Sequence, residues 1–206
     1  MPMIENLSVA LGLAAVFGYL LGSVSGGMIM ARMMNLGNLR EIGSGNIGAT
    51  NVLRTGNKKA AALTLVFDAA KGAIAVLLAR VLFSEEAAQI AGLAAFFGHC
   101  FPVWLGFKGG KGVATYFGVI WALAWPMGAA ASLIWLLIAI LTRYSSLAAL
   151  VAAGWVPVVM SFTGYGDLFL LGIVMALLLY VRHWGNVRRL RAGTEPKIGA
   201  KPVAKS

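Results

Sequence analysis

From Gly112 to Thr142 the chain carries no charged side chain, and the same holds from Asn6 to Ala31. About 20 apolar residues suffice for an α-helix to cross the hydrocarbon of a bilayer. No water reaches unpaired backbone groups there, so a spanning chain must be a helix or a closed barrel, and unbroken apolar runs select the helix. Composition agrees: 60% of the 206 residues are hydrophobic and 12% charged, against roughly half and one quarter in a soluble domain. The chain reads as an all-α, polytopic integral membrane protein. Residues 1–195 form one transmembrane domain, and 196–206 a polar tail, punctuated by Pro196 and Pro202, that is expected to be disordered.

The charges order the spans. Arg32, Arg40, Arg54, Lys58 and Lys59 follow the first apolar run, Lys108 and Lys111 sit together, Arg143 stands alone, and Arg182, Arg188, Arg189 and Arg191 precede the tail. The positive-inside rule puts all of these on the cytoplasmic side. Glu5, Glu85 with Glu86, and Asp167 mark breaks that face outward. The expected spans are 4–31, 60–82, 87–106, two within 112–142 divided at Trp125-Pro126, 146–163 and 168–184. That makes about seven transmembrane helices, some short or broken, with the N-terminus outside and the C-terminus cytoplasmic. The helices flanking Trp125-Pro126 would have about 14–16 residues, short for full crossings. A re-entrant pair there would leave five spans with the same loop orientations.

The net charge of +10 does not indicate nucleic acid, because the cations sit at helix ends and form no stripe interleaved with exposed aromatics. The single cysteine, Cys100, excludes an intrachain disulfide. One Cys and two His do not make up the four ligands of a structural zinc site, and no metal is expected.

Polar side chains gather in short segments, all on the side assigned to the cytoplasm. Residues Gly43-Ser44-Gly45-Asn46-Ile47-Gly48-Ala49-Thr50-Asn51 lead to Arg54. The Gly43-x-Gly45-x-x-Gly48 spacing matches a dinucleotide fingerprint in form only, since that motif needs a βαβ unit. Glycines ahead of a helix starting near Ala49 can still bind phosphate. The competing reading is a tight turn stitched by Asn and Ser. Next, Gly98-His99-Cys100-Phe101-Pro102-Val103 runs into Lys108-Gly109-Gly110-Lys111-Gly112. Lysine supplies charge and glycine lets backbone N–H groups approach an anion. Positive-inside anchoring accounts for the lysines but not the glycines. The spacing is not that of a Walker A loop. His99 is either a buried, hydrogen-bonded residue at a helix end or a direct participant. Finally, His183 and Asn186 lie three apart, on one face of a helix, ahead of Arg188, Arg189, Leu190, Gly193 and Glu195. Asp68 and Lys71 share that spacing inside the 60–82 span, as a structural pair or a functional one.

Together these segments resemble the bacterial acyl-phosphate:glycerol-3-phosphate acyltransferase family. The family's Gly-Ser-Gly-Asn-x-Gly-Ala-Thr-Asn-x-x-Arg matches Gly43 to Arg54. Its Gly-His-x-x-Pro-Val segment running into Phe-x-Gly-Gly-Lys-Gly matches Gly98 to Gly112. Its His-x-x-Asn-x-x-Arg-Leu-x-x-Gly-x-Glu matches His183 to Glu195. The resemblance implies a protein of the bacterial inner membrane whose site faces the cytoplasm, and the first acylation of phospholipid synthesis. An acyl group moves from acyl phosphate to the 1-hydroxyl of glycerol 3-phosphate, giving lysophosphatidic acid and inorganic phosphate, with no cofactor. Direct attack is implied, the donor's phosphate taking the proton, while Ser44, Asn46, Arg54, Lys111, His183 and Asn186 bind and orient. His183 as general base is the competing role. Gly43, Gly45, Gly48, Thr50, Asn51, Lys108, Gly109, Gly110 and Gly112 form the phosphate-binding loops, with Lys108 largely an anchor. Asp68, Lys71, His99 and Ser146 are supporting candidates.

The residues suit that chemistry. Each substrate carries a phosphate of about −1.5 to −2 charge, so joining them in a partly dehydrated site demands cations and N–H donors. The partners expected are the two substrates and membrane lipid, not nucleic acid; the oligomeric state is open, and a monomer is consistent. A small-anion or phosphate-ester transporter is the rival, although transporters place their sites at the midplane between repeated halves. A scaffold without catalysis leaves the glycine loops unexplained.

Overall fold

The computed structural model describes residues 7–200, and every regular element among them is helical. In order these are α1 (Leu7–Ser23), α2 (Gly26–Met33), α3 (Ala49–Leu53), α4 (Lys58–Leu82), α5 (Glu85–Cys100), α6 (Val113–Leu123), α7 (Trp125–Thr142), α8 (Ser145–Met160), α9 (Phe169–Arg182) and α10 (Trp184–Arg191). Single 3-10 turns at Val103–Leu105 and Gly166–Leu168 complete the set. Large apolar side chains such as Val16, Val66, Val81, Leu133, Ile140 and Leu170 point outward. Alanine and glycine dominate the contacts between helices instead. A Cβ on Gly22 would lie 2.0 Å from the Ala95 carbonyl oxygen, so α1 and α5 meet backbone to backbone. Small residues inside and large apolar residues outside is the arrangement of helices packed in lipid. The protein is an all-helical integral membrane protein.

By length and composition four stretches can cross a bilayer, Leu7–Met33, Lys58–Leu82, Glu85–Leu105 and Trp125–Thr142, or five if the bent α9–α10 unit counts as one. Helices α6 and α8 are apolar but shorter. Three boundaries differ from those expected. The first apolar run breaks at Val24 and Ser25, where the Ser25 hydroxyl caps α2 by accepting from the Met28 N–H at 3.3 Å. The 112–142 run breaks at Ala124, because Pro126 fits only the first turn of a helix; the pieces have 11 and 18 residues, not two similar lengths. The last span ends at Arg182, and α10 leaves it at 61°, so His183 is a junction and not part of one continuous helix with Asn186.

Helix α6 is short because it starts deep. Its Thr115 hydroxyl donates to the Asp68 carbonyl at 2.9 Å, ten residues or about 15 Å along α4 from its start. From there it runs beside the second half of α4, where Arg80 reaches the Ala122 carbonyl at 2.7 Å. The step between the start of α4 and the start of α6 leaves a recess. The loops around residues 40–54, 108–112, 143–146 and 182–198 all converge on that end. Thr50 meets Ser145 at 3.2 Å, Ser146 meets Glu195 at 2.6 Å, and the Arg40 guanidinium donates to the Lys108 carbonyl. The chain stays attached past residue 196: Ile198 donates to the Arg143 carbonyl at 2.7 Å and accepts from its guanidinium at 3.0 Å. Residues 1–6, with Glu5, and the tail from 201 to 206 lie outside the described residues.

Candidate functional site

The Gly43–Asn51 loop is organised by one buried side chain. Asn51 Oδ1 accepts from the Ser44 N–H at 3.0 Å, the Ser44 hydroxyl at 3.2 Å and Arg54 Nη1 at 3.3 Å. Its Nδ2 donates to the carbonyls of Leu39 at 3.0 Å and Asn46 at 2.7 Å. Asn51 is spent on the loop, and Gly43 and Gly45 take positive φ values of 53° and 69° to make the turn. The outcome is a rigid platform that turns Ser44, Asn46, Thr50 and Arg54 toward the recess. The expected helix near Ala49 is present, but it is one turn long. Arg54 is its C-cap, just past the last helical residue, and is held back onto Asn51.

The Lys108–Gly112 segment works differently from the expectation. The N–H groups of Gly109 and Gly110 do not point at a ligand; they donate to the carbonyls of Cys100 at 3.1 Å and His99 at 3.0 Å and so terminate α5. Their own carbonyls accept from Arg182 Nη2 and Nε, each at 3.1 Å. Glycine is required for that strap, since a Cβ on Gly109 would stand 2.2 Å from the His99 carbonyl oxygen. Pinned between α5 and α9, the segment projects Lys111 into the recess. Lys108 is exposed and does not line the recess, which fits the anchor role.

At the α9–α10 junction, His183 is 2% exposed and its Nδ1 lies 2.8 Å from the Leu179 carbonyl. A carbonyl only accepts, so Nδ1 carries the hydrogen and Nε2 presents a lone pair. Asn186 Oδ1 accepts from Lys111 Nζ at 2.5 Å, and its Nδ2 donates to Glu195 Oε1 at 2.6 Å. Glu195 also accepts from Ser146 at 2.6 Å and from Arg189 Nε at 2.7 Å. Burial works to raise its pKa, but these hydrogen bonds and the Arg189 charge hold its carboxyl below the usual range. Lys111 is pushed down to about 8, by burial first; the Glu195 charge opposes this while Arg189, Arg54 and Arg182 reinforce it.

These groups line one cavity of about 980 Å³. Its polar end holds Ser44, Asn46, Arg54, Lys111, His183, Asn186, Arg189 and Glu195, and it continues as an apolar groove past Ala69, Ala73, Phe117 and Trp121 to Trp135. All six residues first expected to orient substrate therefore share the cavity. Gly43, Gly45, Asn51, Lys108, Gly109 and Gly110 do not line it; they shape the walls. The roles of Arg182 and of Glu195 as organisers were missed, because an arginine beside a span end reads as a membrane anchor. Ser146 lines the cavity and donates to Glu195.

Deeper in the bundle, Lys71 Nζ donates to the Val24 carbonyl at 2.6 Å, lies 2.9 Å from Asp68 Oδ1 and 3.0 Å from His99 Nδ1. Asp68 Oδ1 accepts from the Gly26 N–H at 3.1 Å. The cluster satisfies the carbonyl and N–H freed by the break between α1 and α2. This is what an interrupted helix in hydrocarbon requires.

The chain is similar to known proteins over nearly its whole length. A sequence model of the family described as glycerol-3-phosphate acyltransferase matches residues 12–193. A glycerol-3-phosphate acyltransferase of Jannaschia sp. is 60% identical, over 96% of this chain and 98% of its own. One from Ruegeria pomeroyi is 58% identical over 98% and 99%. Among solved structures, the crystal structure of PlsY, an integral membrane glycerol 3-phosphate acyltransferase, in its glycerol 3-phosphate form superposes with a TM-score of 0.87 at 38% identity, covering 92% of this chain and 96% of that one. Its lysophosphatidic acid form gives 0.83 at 36%, covering 92% and 95%.

Proposed function

The chain belongs to the glycerol-3-phosphate acyltransferase family, and from that premise we propose how its cavity carries out the transfer. The enzyme uses acyl phosphate as donor and glycerol 3-phosphate as acceptor. The 1-hydroxyl oxygen attacks the acyl carbonyl carbon, the bond from that carbon to the phosphate oxygen breaks, and the departing phosphate takes the electron pair and the hydroxyl proton. Lysophosphatidic acid and inorganic phosphate result, with no cofactor. The observation that carries this reading is a cationic, half-buried cavity end continuous with an apolar groove. Arg54 and Lys111 offset the repulsion between the two phosphates, which is strongest where water is scarce. Ser44, Asn46 and Asn186 orient the reactants. His183 Nε2, with its free lone pair, accepts from the glycerol hydroxyl and fixes its direction of attack. Such positioning contributes several kcal/mol to a bimolecular step. The acyl chain lies in the groove beside Ala69 and Phe117.

The same reading takes the chain across the membrane seven times, by α1–α2, then α4, α5, α6, α7, α8 and α9. The N-terminus is outside, and the convergent basic loops lie on the cytoplasmic side of the bacterial inner membrane, where the water-soluble acceptor enters. Residues 1–195 form one catalytic domain, and the Ile198–Arg143 link keeps the segment just after it attached. The test is phosphate release by purified protein given palmitoyl phosphate, with and without glycerol 3-phosphate. Acceptor-dependent release with lysophosphatidic acid as product is expected. Turnover with a thioester donor alone overturns the choice of donor. A His183 variant whose pH–rate profile loses its acidic limb makes His183 the base in place of the leaving phosphate.

A further inference from the structure

The side of His99 that faces away from the buried cluster has no role so far. Its Nδ1 lies 3.0 Å from Lys71 Nζ, and an ammonium can only donate, so Nδ1 is the acceptor. The Asp68 carboxylate, at 3.7 Å from Nδ1, is too far to claim a proton there. A neutral imidazole with an accepting Nδ1 carries its hydrogen on Nε2. That N–H has no hydrogen-bond partner among the described residues, and the ring is 4% exposed while lining the cavity. Gly110 packs against this edge of the ring: a Cβ there would stand 2.2 Å from Nε2 and 3.0 Å from both adjacent ring carbons, so any larger residue would cover the donor. An N–H donor at the floor of a cavity rimmed by Arg54 and Lys111 suits an oxygen bearing negative charge.

We propose that His99 is a substrate-binding residue whose Nε2–H donates to a phosphoryl oxygen, with Lys71 locking the tautomer that makes it a donor. The two histidines then present opposite faces to the cavity: His99 an N–H for an anion, His183 a lone pair for a hydroxyl. This rests on the acyl-phosphate reading above, so the experiment begins with the wild-type protein and does not need turnover. The chain holds only two histidines, and 15N-labelled imidazoles report their tautomers directly by NMR in detergent. One Nε2–H ring and one Nδ1–H ring are expected, and inorganic phosphate or glycerol 3-phosphate should shift the protonated Nε2 of His99. Two Nδ1–H rings, or no shift with either anion, overturns the proposal whatever the donor proves to be. Two variants supply the kinetic arm. His99→Asn keeps an acceptor for Lys71 but has no group at the Nε2 position; His99→Gln places an amide N–H there. A tenfold or greater loss of kcat/KM in Asn, with most of it restored in Gln, is expected. The substrate whose KM rises in Asn names the phosphate that His99 holds. Asn active and Gln impaired would assign His99 a purely structural role.

Discussion

Lys71 and Lys111 are lysines set among a carboxylate and a histidine, yet they do opposite things. An ammonium has three hydrogens to donate. Lys71 has spent all three, on Val24, Asp68 and His99, and is 2% exposed. Lys111 has spent one, on Asn186, and among the described residues the other two have no partner. Residue type alone does not separate a structural cation from a working one here; the count of uncommitted donors does. A saturated charge holds helices together, and an unsaturated one beside a cavity is held ready for an anion.

The largest effect that can break this comparison is on stability. Lys71→Met leaves Asp68 charged, buried and with only the Gly26 N–H, and the α1–α2 break loses its anchor. A cost of about 3–5 kcal/mol is expected for half of a buried pair, read as loss of monodisperse protein or a collapsed Tm in detergent. Adding Asp68→Asn should recover much of it, since the uncompensated charge goes. Lys111→Met should do the reverse. Turnover should fall by about 10²–10³-fold, the usual cost of one preorganised charge donor, while Tm stays level or rises. Near-normal turnover in that folded variant would falsify the anion-clamp role. Arg54→Ala is expected to follow Lys111→Met in sign, with the loop still held by Asn51.

A smaller effect tests the frame around Lys111. Glu195 holds Asn186, Ser146 and Arg189 at once. Glu195→Gln keeps an acceptor for Asn186 but removes the charge that holds Arg189. About a tenfold loss in kcat/KM is expected, the scale of one charge-assisted hydrogen bond. If the loss matches that of Lys111→Met, then Glu195 is not a support but part of the machinery.

Much of this was legible in the chain, and the remainder failed for identifiable reasons. The ends of α4, α7 and α8 follow from charge and proline, because those residues act locally. Ser44, Arg54, Lys111, His183 and Asn186 converge as the motifs implied. The break at Ser25 was not legible, since serine and glycine are ordinary inside membrane helices and the residues that stabilise it, Asp68 and Lys71, are more than forty positions away. Gly109 and Gly110 signalled a close approach without saying to what; it is the end of α5, not an anion. Arg182 looked like a membrane anchor because its carbonyl partners lie on another loop.

The smallest and most reversible probe is pH. Lys111 loses its proton near pH 8 in the folded protein, so transfer should decline as pH rises through about 8, from loss of cation and without unfolding. The linkage has the opposite sign for stability. The unfolded chain holds that proton more tightly, with a reference value of 10.5, so between about 8 and 10.5 the unfolded state binds more protons and the folded state gains as pH rises. Activity and Tm should therefore diverge above about pH 8 in the wild type, and the divergence should vanish in Lys111→Met. A basic limb on activity that survives in Lys111→Met would mean that some other group, and not the uncommitted lysine, sets the response.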